Sequence, residues 1–216
     1  MTETRTLRTT TVGRYLLEPA PVPGAPLLVG FHGYGQGAET LLAEMRRIPG
    51  ASACHLVSVQ ALHRFYNTKT QEVVGSWMTS LDRDQAIEDN VAFVNQVIGE
   101  VRAELGGGQL VFVGFSQGAA MAWRAAARCG PCDGVIVLGG DLPKDVIEAG
   151  DLSLPHSLIG RGEKDAWYTE EKLAKDLAAL EHRGLRPEAL RFDGGHEWTQ
   201  TFLDAAGRFL ERVLKR

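Results

Sequence analysis

Short apolar runs alternate along the chain with longer stretches whose apolar residues recur at helical spacing. Leu27–Phe31 is an apolar run of strand length. Leu56–Val59, Leu110–Phe115, Val135–Leu138, Ser157–Ile159 and Ala189–Phe192 read the same way. Such runs lack clean polar alternation, which is the pattern of strands buried on both faces of a parallel sheet. Residues 7–18 predict one or two N-terminal strands interrupted by Gly13. Pro19, Pro21, Pro23 and Pro26 then form a stiff connection.

The helical stretches are equally plain. Ile87, Val91, Val94, Ile98, Val101 and Leu105 step by four and three and share one face. Asp84 lies near the positive end of that helix. Leu173, Leu177 and Leu180 predict another helix, with Thr169 as N-cap. Trp198, Phe202, Ala205, Phe209 and Val213 predict the last. Strand–helix alternation implies an α/β protein: a doubly wound, mostly parallel sheet with helices on both faces. Residues 61–80 show no clear period and read as a long loop, a kind of segment that often carries function.

Composition narrows the classes. A chain of 216 residues fits a single domain over 1–216 and leaves no room for a large lid domain. With 44% hydrophobic and 23% charged residues it has the balance of an ordinary globular protein. A net charge of −4 without a basic stripe argues against nucleic acid and against stable association with anionic membranes. No apolar run approaches the roughly 18 residues of a membrane span. The polar stretch Met1–Thr11 lacks the apolar core of a secretory signal. Three cysteines make no disulfide framework. The expectation is a cytoplasmic protein, with monomer and homodimer both open.

One motif carries chemistry. Gly114-Phe115-Ser116-Gln117-Gly118 follows a predicted strand and opens the small-residue helix Ala119–Ala127. G-x-S-x-G in that setting is the nucleophile elbow of the α/β-hydrolase fold, a sharp turn that lifts the serine above the sheet edge. A serine hydroxyl needs a base, and in this fold the order is Ser, acid, His. His196, in Asp193-Gly194-Gly195-His196-Glu197, follows the last predicted strand and precedes the last helix, so it belongs at the same edge. His182 falls on a surface helix and His156 enters a strand. Asp165 follows the strand at 157–159 and is the preferred acid; Asp141, after the preceding strand, is its rival. The oxyanion hole is assigned to the backbone N–H groups of Gln117 and of Tyr34, the latter in the glycine-rich loop after Leu27–Phe31. Each such donor is worth roughly 3–4 kcal/mol in the transition state.

Four motifs in order, Phe31-His32-Gly33-Tyr34-Gly35, Gly114–Ala119, Gly160–Asp165 and Gly195-His196-Glu197, resemble the phospholipase/carboxylesterase family, which includes the acyl-protein thioesterases. The resemblance runs from about residue 25 to the end. It implies a cofactor-free, metal-free esterase acting on a small-molecule ester through Ser116, Asp165 and His196, with Tyr34 and Gln117 as oxyanion donors. It also implies an acyl pocket lined by Trp77 and by Leu142-Pro143. Two departures fall on the substrate side. The family's Asp-x-x-Val-Pro becomes Asp165-Ala166-Trp167-Tyr168-Thr169, and the aromatic-Asp after the middle Trp becomes Met78-Thr79. They put acyl-protein thioesterase and lysophospholipase activity in second place, behind cleavage of small to medium acyl esters. Trp77, Met78, Leu142 and Trp167 are the expected substrate-binding residues.

Other patterns are decoys. Cys129-Gly130-Pro131-Cys132 resembles a redox motif but ends the elbow helix instead of starting one. Gly33-x-Gly35-x-Gly37 lacks the spacing of a dinucleotide loop, and His196-Glu197 lacks the second histidine of a zinc site. The rival from another class is a silent binding module of the same fold, which would show neither turnover nor acylation.

Overall fold

In the computed structural model, which describes residues 1–149 and 153–215, the apolar runs become strands whose successive side chains feed two separate cores. Leu27, Val29 and Phe31 enter one core and Leu28 the other. Leu110 and Phe112 alternate with Val111, Val113 and Phe115 in the same way. This two-residue period is what a strand buried on both faces produces.

The strands are β1 (Arg14–Glu18), β2 (Leu27–Phe31), β3 (His55–Gln60), β4 (His63–Tyr66), β5 (Val73–Ser76), β6 (Leu110–Phe115), β7 (Gly134–Leu138), β8 (His156–Gly162) and β9 (Glu188–Phe192). Seven of them form one sheet in the order β1-β3-β2-β6-β7-β8-β9. β1 runs antiparallel to β3, and the other pairings in that sheet are parallel. The helices are α1 (Ala38–Arg47), α2 (Arg83–Leu105), α3 (Gln117–Arg128), α4 (Lys144–Glu148), α5 (Glu170–His182) and α6 (Gln200–Leu214). Buried residues of α2, α3, α4 and α5 join the core on one face, and those of α1 and α6 the core on the other. The α/β-hydrolase architecture is therefore present, with helices on both sides of a mostly parallel sheet. Thr169 caps α5 by accepting from Lys172 N–H, and Asp84 lies in the first turn of α2. Among the described residues no helix is long and apolar enough to cross a membrane.

Two expectations fail. The strand expected over residues 7–18 is confined to Arg14–Glu18, because residues 1–12 are exposed and mostly polar, with Leu7 and Val12 too far apart to give a face to bury. Gly13 marks the entry to the sheet, where an added Cβ would lie 2.1 Å from the Phe93 ring. The segment 61–80 is no structureless loop. It holds the antiparallel hairpin β4–β5, pinned to the loop after β2 by Gly35 N–H to Gly75 O at 3.0 Å and Gly75 N–H to Gln36 O at 2.8 Å.

Candidate active site

The turn from β6 into α3 forces Ser116 to φ 55° and ψ −120°, a conformation most side chains avoid. Its surroundings hold it there. Ser116 N–H donates to Leu138 O at the end of β7, at 2.8 Å. An added Cβ at Gly114 would lie 2.3 Å from Gly118 O, and one at Gly118 would lie 2.0 Å from Phe31 O. The backbones pack so closely that only glycine fits on either side of the serine.

The imidazole of His196 comes from the loop after β9. Its Nδ1 lies 2.7 Å from Asp165 Oδ2, and its ring packs on Phe115, the residue before Ser116, at 4.9 Å between centroids. Asp165 is itself fully engaged: Oδ1 accepts the N–H groups of Trp167 at 2.8 Å and Tyr168 at 3.0 Å. A carboxylate buried and held this way fixes Nδ1 as the donor and leaves Nε2 as the free base. The Ser116 hydroxyl makes no hydrogen bond among the described residues, a looseness common before substrate binds. The rival acid, Asp141, is exposed and pairs with Lys172 at 3.3 Å, with no bond to His196.

The loop after β2 lies against the elbow, since an added Cβ at Gly33 would be 3.3 Å from Ser116 Cβ. Gly33 N–H is taken by Gln36 Oε1 at 2.9 Å and Gly35 N–H by Gly75 O, whereas the N–H groups of Tyr34 and Gln117 meet no acceptor among the described residues. His32, whose role the motif alone did not reveal, sets this loop. Its Nε2 accepts Ala61 N–H at 3.1 Å, so Nδ1 carries the proton and donates to Gly33 O at 2.7 Å. Burial lowers its pKa, against the opposing bond to Gly33, and keeps the ring neutral. The Gln117 side chain closes the other flank: Oε1 accepts Trp77 N–H at 2.8 Å and Nε2 donates to Met78 O at 3.0 Å.

The expected substrate contacts separate. Trp77 has no exposed surface; Nε1–H donates to His32 O at 2.7 Å, and Phe31 packs edge-on at 5.4 Å. It belongs to the core, because its apolar faces are covered and its one donor is satisfied. Met78 is half-buried, its sulfur 3.6 Å from Arg124 Nη1. Leu142 is buried and lines, with Ile87, Pro143 and Ile147, a groove of about 740 Å³ that none of Ser116, Asp165 and His196 touches. Trp167 is 75% exposed and stands two residues from the acid. Gly139 and Gly140, directly after β7, had no assigned role. An added Cβ at Gly139 would lie 3.0 Å from His196 Nδ1, and at Gly140 2.2 Å from Ser116 O. Their position as a glycine pair at the end of a predicted strand was the available signal. Among the described residues no group of three His, Cys, Asp or Glu side chains is placed to hold a metal ion.

Solved structures share this architecture. Esterase PE8 is 24% identical, with a TM-score of 0.75 over 94% of this chain and 100% of its own. A carboxylesterase from Mesorhizobium loti is 21% identical, with a TM-score of 0.76 over 92% of this chain and 94% of its own. Acyl-protein thioesterase 2 from Zea mays is 16% identical, with a TM-score of 0.71 over 94% of this chain and 100% of its own. At these identities the likeness shows the fold. No curated protein sequence matches the chain significantly. The sequence profile described as Phospholipase/Carboxylesterase matches residues 17–159, a span that includes the loop after β2 and the turn at Ser116, and the chain belongs to that family of α/β-hydrolases.

Proposed function

We propose that this protein is a serine esterase that cleaves carboxylic esters of small to medium acyl groups through an acyl-enzyme on Ser116. The observation that carries the reading is the contact between the half-buried His196 ring and the buried Asp165 carboxylate, 2.7 Å apart, beside a serine held at positive φ. His196 Nε2 takes the hydroxyl proton as Ser116 Oγ attacks the carbonyl carbon. The N–H groups of Tyr34 and Gln117 receive the developing oxyanion. Collapse expels the alcohol, which leaves with the proton from His196. Water then attacks the acyl-enzyme, with His196 again as base, and releases the acid and Ser116.

Exposed aromatic rings favour an apolar substrate. Tyr34 is 63% exposed, and its ring lies 5.5 Å from that of Phe65 on the β4–β5 hairpin. Trp167 stands exposed on the acid loop. A fluorophosphonate probe tests the reading: it should label Ser116, as mapped by mass spectrometry, and Ser116→Ala should lose both label and turnover. Labelling of another residue, or turnover kept in Ser116→Ala, would sink it. Absence of both label and turnover in the wild type would leave a binding module.

A further inference from the structure

The buried stripe of α5 carries Leu173, Asp176 and Leu180. A leucine at the middle position would complete an ordinary apolar face. Asp176 instead sits there 4% exposed, and burying an acid costs free energy unless its partners return it. Its partners lie in two different loops. Oδ2 accepts Leu142 N–H at 2.8 Å, from the loop between β7 and α4, and Tyr168 O–H at 2.9 Å, from the loop between β8 and α5.

Both loops border His196. Tyr168 N–H donates to Asp165 Oδ1 at 3.0 Å, and Asp165 Oδ2 meets His196 Nδ1 at 2.7 Å. On the other side Gly139, at φ 65°, lies so close that an added Cβ would stand 3.0 Å from His196 Cε1 and 3.3 Å from Asp165 Oδ2. The imidazole is therefore set between two loop walls, and one carboxylate oxygen clasps those walls together. We propose that Asp176 is a positioning residue: it locks the loops at 139–143 and 163–169 against each other and so holds His196 and Asp165 in line for proton transfer. The inference rests on the Ser116–His196–Asp165 reading above.

The charge on the clasp fits this role. Burial raises the Asp176 carboxyl to about 6; the bonds from Leu142 and Tyr168 oppose the rise, Asp141 adds to it and Lys175 opposes it. At neutral pH the group is ionised, and both hydrogen bonds are charge-assisted. Arg161, buried, adds a strut to the same loop by donating from Nε to Tyr168 O at 2.9 Å.

A double-mutant cycle tests the proposal, read as p-nitrophenyl ester turnover with thermal melts as a check of folding. Asp176→Ala should lower kcat about 10- to 100-fold, the scale of a misplaced catalytic group, with KM changed less than about threefold. Asp176→Asn, whose amide oxygen can accept both donors, should keep most of the activity. In an Asp165→Ala background, where proton transfer is already crippled, Asp176→Ala should cost less than about threefold more. Equal losses in both backgrounds, or no loss in the wild type, would overturn it. Should Asp176→Ala fail to fold, Tyr168→Phe breaks the clasp by one oxygen and should follow the same pattern, about tenfold in the wild type and none in the Asp165→Ala chain. Near-normal turnover of Asp165→Ala alone would overturn the triad reading, and this inference with it. Loss in Asp165→Ala with no effect of Asp176→Ala or Tyr168→Phe would overturn the positioning role alone.

Discussion

A single methyl group at position 139 should disable this site. Gly139 holds φ 65°, and an added Cβ would press on His196 Cε1 and Nδ1 at 3.0 Å. The contact atoms belong to a ring fixed by a buried carboxylate, so the ring cannot step aside freely. Gly139→Ala should lower kcat about 100-fold, the cost of roughly 1 Å of displacement, while circular dichroism still shows a folded protein. Rates within threefold of the wild type would mean the loop yields instead. Asp176 allows a pH test at the same scale. Its carboxyl is raised in the folded protein, by burial first and Asp141 after it, to about 6. The neutral form therefore favours folding. That contribution is fully present below the ordinary Asp pKa of about 4, and it is lost as pH rises through about 6. Asp176→Asn does not titrate, so its stability should gain on the wild type between those limits, by up to about 3 kcal/mol. Urea unfolding at pH 4 and pH 7 measures the gap; a gap that does not move would show an unperturbed acid. At this scale candidate residues were legible where bonding chemistry restricts residue type, as at Ser116 and His196. It was not legible where a neighbour from a distant loop sets the demand, as at Gly139, His32 and Asp176.

Elements were legible in proportion to how much of them the core covers. β2 was read at its full length because all five of its residues are buried. The hairpin β4–β5 was missed because every residue of β4 is exposed, and no alternation remains to read. α1 was passed over although Ala38, Leu41, Leu42 and Met45 step by three, one and three along one buried face. Trp77, at the foot of the hairpin, illustrates the difference between pocket and core. An aromatic residue in a loop reads as a substrate contact, but here the covered indole anchors the loop after β2 through His32 O. Trp77→Ala should therefore cost about 3–5 kcal/mol of stability, measured by urea unfolding, before it changes any preference for acyl length. A stable variant with altered preference would restore the pocket role. Helix α3 ends at the cysteine pair, far along from Ser116. Burial first raises the Cys129 thiol to about 11 and the Cys132 thiol to about 12, with Asp133 adding to the second. Both stay protonated at neutral pH and are poor nucleophiles. Replacing both with serine should leave esterase turnover within about twofold while lowering stability by about 1–2 kcal/mol. A collapse of turnover in a chain that melts normally would mark a second reactive site.

At the scale of the whole molecule the sheet decides what the site can admit. Ser116, His196 and Asp165 follow β6, β9 and β8, so they gather at the carboxyl edge of the parallel strands, where open α/β sheets bind ligands. Alternation of strands and helices made that gathering readable from the sequence, since each loop's place follows from the strand it leaves. The excursion described over this edge is the short β4–β5 hairpin, not a domain that must swing open. A substrate should reach Ser116 from solution without first meeting an interface. Exposed Tyr34, Phe65 and Trp167 offer apolar surface, while Trp77 offers none and none of Ser116, Asp165 and His196 lines the groove beside Leu142. The apolar length available to an acyl chain should therefore be short. Each methylene that is buried contributes about 0.8 kcal/mol, or roughly fourfold in kcat/KM. Along a series of p-nitrophenyl esters, kcat/KM should rise by no more than about that factor per methylene from acetate, turn over at short chains, and fall for long ones. The rate should also pass smoothly through the concentration at which the ester forms micelles. A rise that continues to palmitate, or a jump at the micelle threshold, would show that long acyl chains find a buried path, and would move the substrate assignment to lipids or acylated proteins.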